Sequence, residues 1–115
     1  MSSRPVILIV DDEKNTREGL VRALRGEYAV AEAENGQRAL EWLETHAADV
    51  VLSDLRMPGL DGLDLLSRLL GREAKPIVIL LTAYGSVESA VEAMKRGAYD
   101  FLAKPVNLER LDLPL

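Results

Sequence analysis

The stretch Val50-Val51-Leu52-Ser53-Asp54-Leu55-Arg56-Met57-Pro58-Gly59 decides how this chain folds. Its apolar run stops at Asp54. Pro58-Gly59 then keeps the chain from continuing as strand, because proline has no N–H to give to a ladder and glycine favours a turn. The spacing predicts a buried strand over about Asp49 to Ser53 that delivers the carboxylate of Asp54 to the mouth of a sheet. A carboxylate held there is a candidate nucleophile, provided that neighbouring residues offset its charge and hold a substrate against it.

Working outward, the same pattern recurs. Val6-Ile7-Leu8-Ile9-Val10 is a continuous apolar run, as in a parallel strand covered on both faces, and it ends abruptly in Asp11-Asp12-Glu13. From Lys14 the pattern turns helical, with Leu20, Ala23 and Leu24 on one face and Gly26 as the stop. Tyr28 to Ala33 reads as a second strand, nearer an edge, and Asn35-Gly36 turns the chain into a helix carrying Ala39, Leu40, Leu43 and Ala47. After Pro58-Gly59 comes a helix with Leu63, Leu66 and Leu70 on one face, its stripe widened by further leucines. Beyond Pro76, Ile77-Val78-Ile79-Leu80-Leu81 is the most apolar run and hence a central strand, ending at Thr82.

Ser86 caps a fourth helix, with Glu88 in its first turn and Lys95-Arg96-Gly97 as a basic, glycine-stopped end. Val87, Ala90, Val91 and Met94 follow the i, i+3, i+4, i+7 spacing of its buried face. Tyr99 to Ala103 is a short fifth strand ended by Lys104-Pro105. A fifth helix starts near Asn107 and is cut short by Pro114. Five alternations of strand and helix predict an α/β domain, a parallel sheet with helices on both faces.

Composition narrows the functions open to such a fold. With 115 residues, 48% of them apolar and 29% charged, there is material for one core and too little for two. No apolar run approaches the roughly 20 residues of a bilayer span, and Met1-Ser2-Ser3-Arg4-Pro5 lacks a signal-peptide core, so the cytoplasm is the expected compartment and no membrane contact is expected. The absence of cysteine excludes disulfides, thiol catalysis and Cys-based zinc sites. A formal charge of −5 argues against direct contact with nucleic acid.

Ligands of open α/β sheets sit beyond the carboxyl ends of the strands. There the sequence sets Asp11 and Asp12 after the first run, Asp54 after the third, Thr82 after the fourth and Lys104 after the fifth; the second ends without an obvious reactive group. Taken singly, each has an ordinary explanation: a helix cap, a turn former, a strand end, a solvated lysine. Together they make chemical sense. Three carboxylates brought close repel one another, and a divalent cation relieves that; an all-oxygen site with room for water and a phosphate oxygen suits Mg2+. Asp54 could then attack a phosphoryl group, with Lys104 offsetting charge on that group and the Thr82 hydroxyl bonding one of its oxygens.

These residues resemble the receiver domains of two-component response regulators. The similarity runs from Ile7 to about Leu108 and rests on Asp11-Asp12, on Asp54 with Met57-Pro58-Gly59 and Gly62, on Thr82-Ala83 and on Lys104-Pro105. Thr82-Ala83-Tyr84-Gly85-Ser86-Val87-Glu88 and Gly97-Ala98-Tyr99-Asp100-Phe101-Leu102 are further similar to the NtrC-type branch, whose full-length members join a receiver to an ATPase and a DNA-binding domain. The resemblance implies a flavodoxin-like, doubly wound (βα)5 three-layer sandwich with strand order 2-1-3-4-5, from which the fifth helix, shortened by Pro114, departs. It implies that 1–115 is a single receiver domain from the N-terminal part of a longer regulator.

It also implies roles. Asp54 would accept a phosphoryl group from a phosphohistidine of a sensor histidine kinase, and the domain would catalyse only its own phosphorylation and dephosphorylation. Asp12 would ligate Mg2+ directly, Asp11 mainly through water, and the main-chain carbonyl of Arg56 would add a further ligand. Lys104-Pro105 would be a cis peptide. Phe101 would be the aromatic switch whose ring turns inward as Thr82 moves toward the phosphate, reshaping the face of the fourth helix, fifth strand and fifth helix, often a dimer surface. Lys95, Arg96, Asp100, Glu109 and Arg110 could pair across it, although each reads first as solvated surface charge. The short tail Leu111-Asp112-Leu113-Pro114-Leu115 departs from the pattern, so exposed leucines and lowered stability or self-association are expected.

Competing readings are a Mg2+-dependent phosphohydrolase, a same-fold interaction module that is never phosphorylated, and a flavin-binding domain. The first wants a second acid two residues after its nucleophile, where Arg56 stands; the last wants a phosphate-cradling loop where Asp11-Asp12 would repel phosphate. His46 is expected far from Asp54, Trp42 in packing, and Tyr84 beside the site.

Overall fold

A computed structural model describes residues 4–83, 86–106 and 113. The elements run β1 (Val6–Val10), α1 (Lys14–Leu24), β2 (Ala29–Ala33), α2 (Gly36–Thr45), β3 (Val50–Asp54), α3 (Gly62–Leu70), β4 (Ile77–Thr82), α4 (Val87–Arg96) and β5 (Asp100–Ala103). All strand pairings are parallel, in the order β2-β1-β3-β4-β5. This is the doubly wound sheet expected. The fifth helix and Tyr84, Glu109 and Arg110 lie outside the described residues.

Alternation along the strands divides the core into two layers. Leu8, Val10, Val51, Val78 and Leu80 pack with Leu65, Leu66 and Leu69 of α3, Ala39 of α2 and Ala93 of α4. Ile7, Ile9, Val50, Leu52, Ile79 and Leu81 pack with Leu20 and Leu24 of α1, and Val106 and Leu113 lean on this second layer. Both faces of β1, β3 and β4 are therefore dry, which is why those strands read as unbroken apolar runs. Each fully buried leucine contributes roughly 1.5–3 kcal/mol relative to an exposed one. No helix among the described residues is long and apolar enough to cross a membrane.

Several local expectations need correction. On α4 the spacing put Val87, Ala90, Val91 and Met94 inward, yet Val87, Val91 and Met94 are exposed and Ala93 is buried. The helix is turned on the order of 100° from the expected face. Small side chains let it approach the sheet closely, and at its end Gly97 (φ 106°) leaves no room for a Cβ, which would stand 2.8 Å from Leu70 Cδ1. On α3 the fully buried residues are Leu65, Leu66 and Leu69, with Leu63 and Leu70 half-buried. Ala23 is exposed, Ala47 lies beyond the end of α2, and α1 stops at Leu24 without a left-handed Gly26. Leu113, the described part of the tail, is half-buried rather than exposed.

Close approaches behind β3 depend on absent side chains. A Cβ on Gly62 would meet the Asp54 carbonyl oxygen at 2.5 Å and Leu55 Cα at 2.9 Å, and the Gly62 N–H donates to the Leu55 carbonyl at 2.8 Å. The start of α3 thus lies directly against the segment that carries Asp54. Asp61 anchors it with a reciprocal capping box to Asp64. Gly62→Ala is expected to destabilise the domain by about 1–3 kcal/mol, because backbone atoms must yield. Gly19→Ala, in an open part of α1, should stabilise by about 0.5–1 kcal/mol. Urea unfolding of the two variants checks this; equal effects would contradict the tight contact.

Candidate functional site

The order β2-β1-β3-β4-β5 reverses winding direction between β1 and β3, so the loops leaving those strands diverge and open a crevice. Register brings the site residues to its rim: Val10 pairs with Ser53, Asp54 with Leu81 and Thr82 with Ala103. The ladder continues past the strands, through Asp11 N–H to the Ala33 carbonyl (3.1 Å), Leu55 N–H to the Leu81 carbonyl (2.8 Å) and Lys104 N–H to the Thr82 carbonyl (2.9 Å). The candidate side chains thus project from hydrogen-bonded backbone.

Asp11 is 1% exposed and has both carboxylate oxygens engaged. Oδ1 accepts the Glu13 N–H at 2.9 Å and Oδ2 accepts from Lys104 Nζ at 2.7 Å. The N-cap of α1 is Glu13, so neither Asp11 nor Asp12 occupies the capping position. Lys104 Nζ also lies 3.5 Å from Asp54 Oδ1, its side chain only 14% exposed. Asp12 is exposed, and oxygens of Asp11, Asp12 and Asp54 all lie within 4.8 Å of one another. Thr82 is buried at the end of β4, and Lys104-Pro105 is cis. Phe101 is half-buried on the α4 side of the sheet, against the first core layer. Arg56 is exposed in the loop after β3 and lines a cavity of about 330 Å³ with Met57, Asp61 and Ser89.

Electrostatics follows from this crowding. Burial raises the pKa of Asp54 above the ordinary carboxylate value; Lys104 pulls it down, and the Asp11 and Asp12 charges add to the rise. Burial acts to lower the pKa of Lys104, but its hydrogen bond and charge interactions with Asp11 and Asp54 outweigh that and leave it raised. Three carboxylates face one ammonium. An all-oxygen donor set with excess negative charge, one member of it exposed, fits a hard divalent cation.

Residues not expected at the site stay away from it. His46 caps the far end of α2, its ring stacked on Trp42 with centroids 4.5 Å apart, and Trp42 packs against the first core layer as expected. Two residues that do reach the site were missed, Arg17 and Glu32. Arg17 donates to the Asp11 carbonyl and to the Glu32 carboxylate. A signal was present: Arg17 sits in the first turn of α1, where a cation opposes the helix dipole and implies a specific acceptor.

Comparison with known proteins decides the family. A family model described as the response regulator receiver domain matches residues 7–113. The chain belongs to the response regulator receiver domain family. This receiver domain is 46% identical over 109 residues to the regulatory protein AtoC of Escherichia coli K12, covering 93% of this chain and 23% of that protein. It is 41% identical over 107 residues to the DNA-binding transcriptional regulator NtrC of the same organism, covering 92% and 23%. It thus spans about a quarter of the length of these curated relatives. Among solved structures, a Burkholderia pseudomallei response regulator with a phosphorylated aspartic acid, calcium ion and citrate superposes with a TM-score of 0.84 at 34% identity, covering 91% of this chain and 62% of that one.

The raised pKa of Asp54 has a consequence for stability. The folded receiver holds the Asp54 proton more tightly than the unfolded chain, so this stabilisation is present at low pH and is lost as pH rises from 3.8 through the raised folded value. Without divalent cations, Asp54→Asn should be more stable than the parent at pH 7, and the gap should close toward pH 3. Urea unfolding across that range checks it; a gap independent of pH would contradict the assignment.

Proposed function

We propose that this receiver is a phosphorylation-dependent switch in which Asp54 is the phosphoacceptor. The observation that carries the reading is Lys104 Nζ standing between Asp11 and Asp54, at 2.7 and 3.5 Å, beside a three-carboxylate cluster at the open end of the sheet. A carboxylate oxygen of Asp54 attacks the phosphorus of a sensor kinase phosphohistidine; the O–P bond forms as the N–P bond to the donor breaks. Lys104 offsets charge on the transferred group, and the Thr82 hydroxyl donates to one of its oxygens. Asp12, Asp54 and the main-chain carbonyl of Arg56 would hold Mg2+, with Asp11, already bonded to Lys104 and Glu13, acting mainly through water. Bound there, Mg2+ would neutralise charge on the phosphoryl group and orient it. A cleft of about 490 Å³ between α1 and the Lys104-Pro105 turn leaves room for a donor to approach.

The product acts as a signal by shifting populations. Phosphoryl contacts favour an arrangement in which Thr82 moves toward the site and Phe101, two registers away on β5, turns inward. The output face is α4 and β5 with the chain that follows. All the exposed large hydrophobics among the described residues, Val87, Val91, Met94 and Tyr99, lie on α4 and its exit, which favours self-association there. Of the charged residues on that face, Arg96 is exposed and bonded to Glu92 and Ser67 of its own chain, and Asp100 accepts the Phe101 N–H. The receiver is read as one domain, 1–115, in a cytoplasmic regulator. It acts on no substrate other than its own phosphoryl group, makes no nucleic-acid contact itself, and controls a linked output, which the relatives suggest is transcription.

Incubation with acetyl phosphate and Mg2+ should add about 80 Da, one phosphoryl group, by intact mass, and Asp54→Asn should abolish the gain. A parent protein that gains no mass, or an Asn variant that gains as much, would overturn the reading.

A further inference from the structure

The second strand showed no reactive end in the sequence, yet it reaches the site through Glu32. Glu32 Oε1 accepts from Arg17 Nε at 2.8 Å, and Nη1 of the same guanidinium donates to the main-chain carbonyl of Asp11 at 2.8 Å. The Arg17 side chain is 14% exposed. A planar guanidinium bonded along two directions is held in one place, where a lysine ammonium could not serve both acceptors with the same geometry. Its location in the first turn of α1, against the helix dipole, is unfavourable unless such acceptors hold it.

The carbonyl that Arg17 holds belongs to the peptide joining Asp11 to Asp12. That unit is planar and rigid, so fixing its C=O fixes the nitrogen and Cα of Asp12. The remaining polar groups of Asp11 are also held, its N–H by Ala33, Oδ1 by Glu13 and Oδ2 by Lys104. Asp12 itself is exposed, and its direction depends on the backbone that carries it. We infer that Arg17, braced by Glu32, is a positioning residue for the cation site: it orients the Asp11–Asp12 peptide and thereby sets where the Asp12 carboxylate stands. The inference rests on the reading of Asp11, Asp12 and Asp54 as a Mg2+ site.

Charge alone acts with the opposite sign. Removing a cation from beside three carboxylates strengthens their attraction for Mg2+, whereas losing the orientation of a ligand weakens binding. Calorimetric titration with Mg2+ of the parent, Arg17→Gln, Arg17→Lys and Glu32→Gln separates the two. Both Arg17 variants should bind Mg2+ about 10-fold or more weakly, the scale of losing an outer-shell partner. Glu32→Gln should lose less, since its amide oxygen still accepts from Nε. In the metal-free Arg17 variants the backbone amide resonances of Asp12 and Glu13 should shift. Arg17→Gln binding Mg2+ as tightly as the parent, or more tightly, overturns the inference. Should that variant fail to fold, Arg17→Lys, which keeps the charge and the aliphatic stem, decides by the same measure. A parent that takes up no Mg2+ overturns the site reading and this inference together; a binding parent with unaltered variants overturns this inference alone.

Discussion

The bridge from Lys104 to Asp11 and Asp54 is the interaction on which the functional end of this domain depends. Two unit charges at ~4 Å attract with about 1 kcal/mol in water and about 4 kcal/mol at the effective dielectric near a protein surface. The separations of 2.7 and 3.5 Å are shorter than that distance, and the partners are largely withdrawn from solvent. One ammonium nevertheless cannot neutralise three carboxylates, and the pKa of Asp54 is raised first by burial, with the Asp11 and Asp12 charges adding to the rise against the pull of Lys104. Dry strands make this imbalance tolerable: β1, β3 and β4 are packed on both faces, and their cohesion holds apart and in register groups that would otherwise separate.

Within that frame the acidic residues have different surroundings. Asp11 is enclosed and bonded on every side, Asp12 is open to solvent, and Asp54 lies between these extremes. The neighbouring backbone is arranged to preserve the difference. Gly62 lets α3 begin against the Asp54 carbonyl, and Arg17 ties the β1–α1 turn to β2. A site built on strand ends this way is rigid where charge must be placed. Beside it stands α4, whose apolar residues Val87, Val91 and Met94 face solvent and whose grip on the sheet runs through Ala93. Rigid chemistry next to a loosely gripped helix is a workable layout for a switch.

The strands and most of the site were legible because burial on both faces writes continuous apolar runs, and the polar residue ending each run marks a position on the sheet edge. Helix rotation was less legible. On α4 periodicity assigns the largest apolar residues to the core, whereas close packing on a sheet favours small ones, so Ala93 displaced Val91 and Met94. The capping box of Asp61 and Asp64 was within reach of pattern reading and was missed. For Arg17 the first turn of α1 signals an acceptor, but its identity as Glu32 was hidden for a different reason: the contact joins a helix to a strand 15 residues later, and a long side chain leaves no periodic trace of its partner.

In the proposed switch, one phosphoryl-sized group on Asp54, with Mg2+, is sensed by Thr82 and Phe101. Beryllofluoride with Mg2+ mimics that group, and heteronuclear NMR of the parent protein reads both residues directly. The Thr82 amide and the Phe101 ring resonances should move on adding beryllofluoride with Mg2+, and stay in place with either component alone. Binding of beryllofluoride at Asp54 with both sets of resonances unmoved would contradict it.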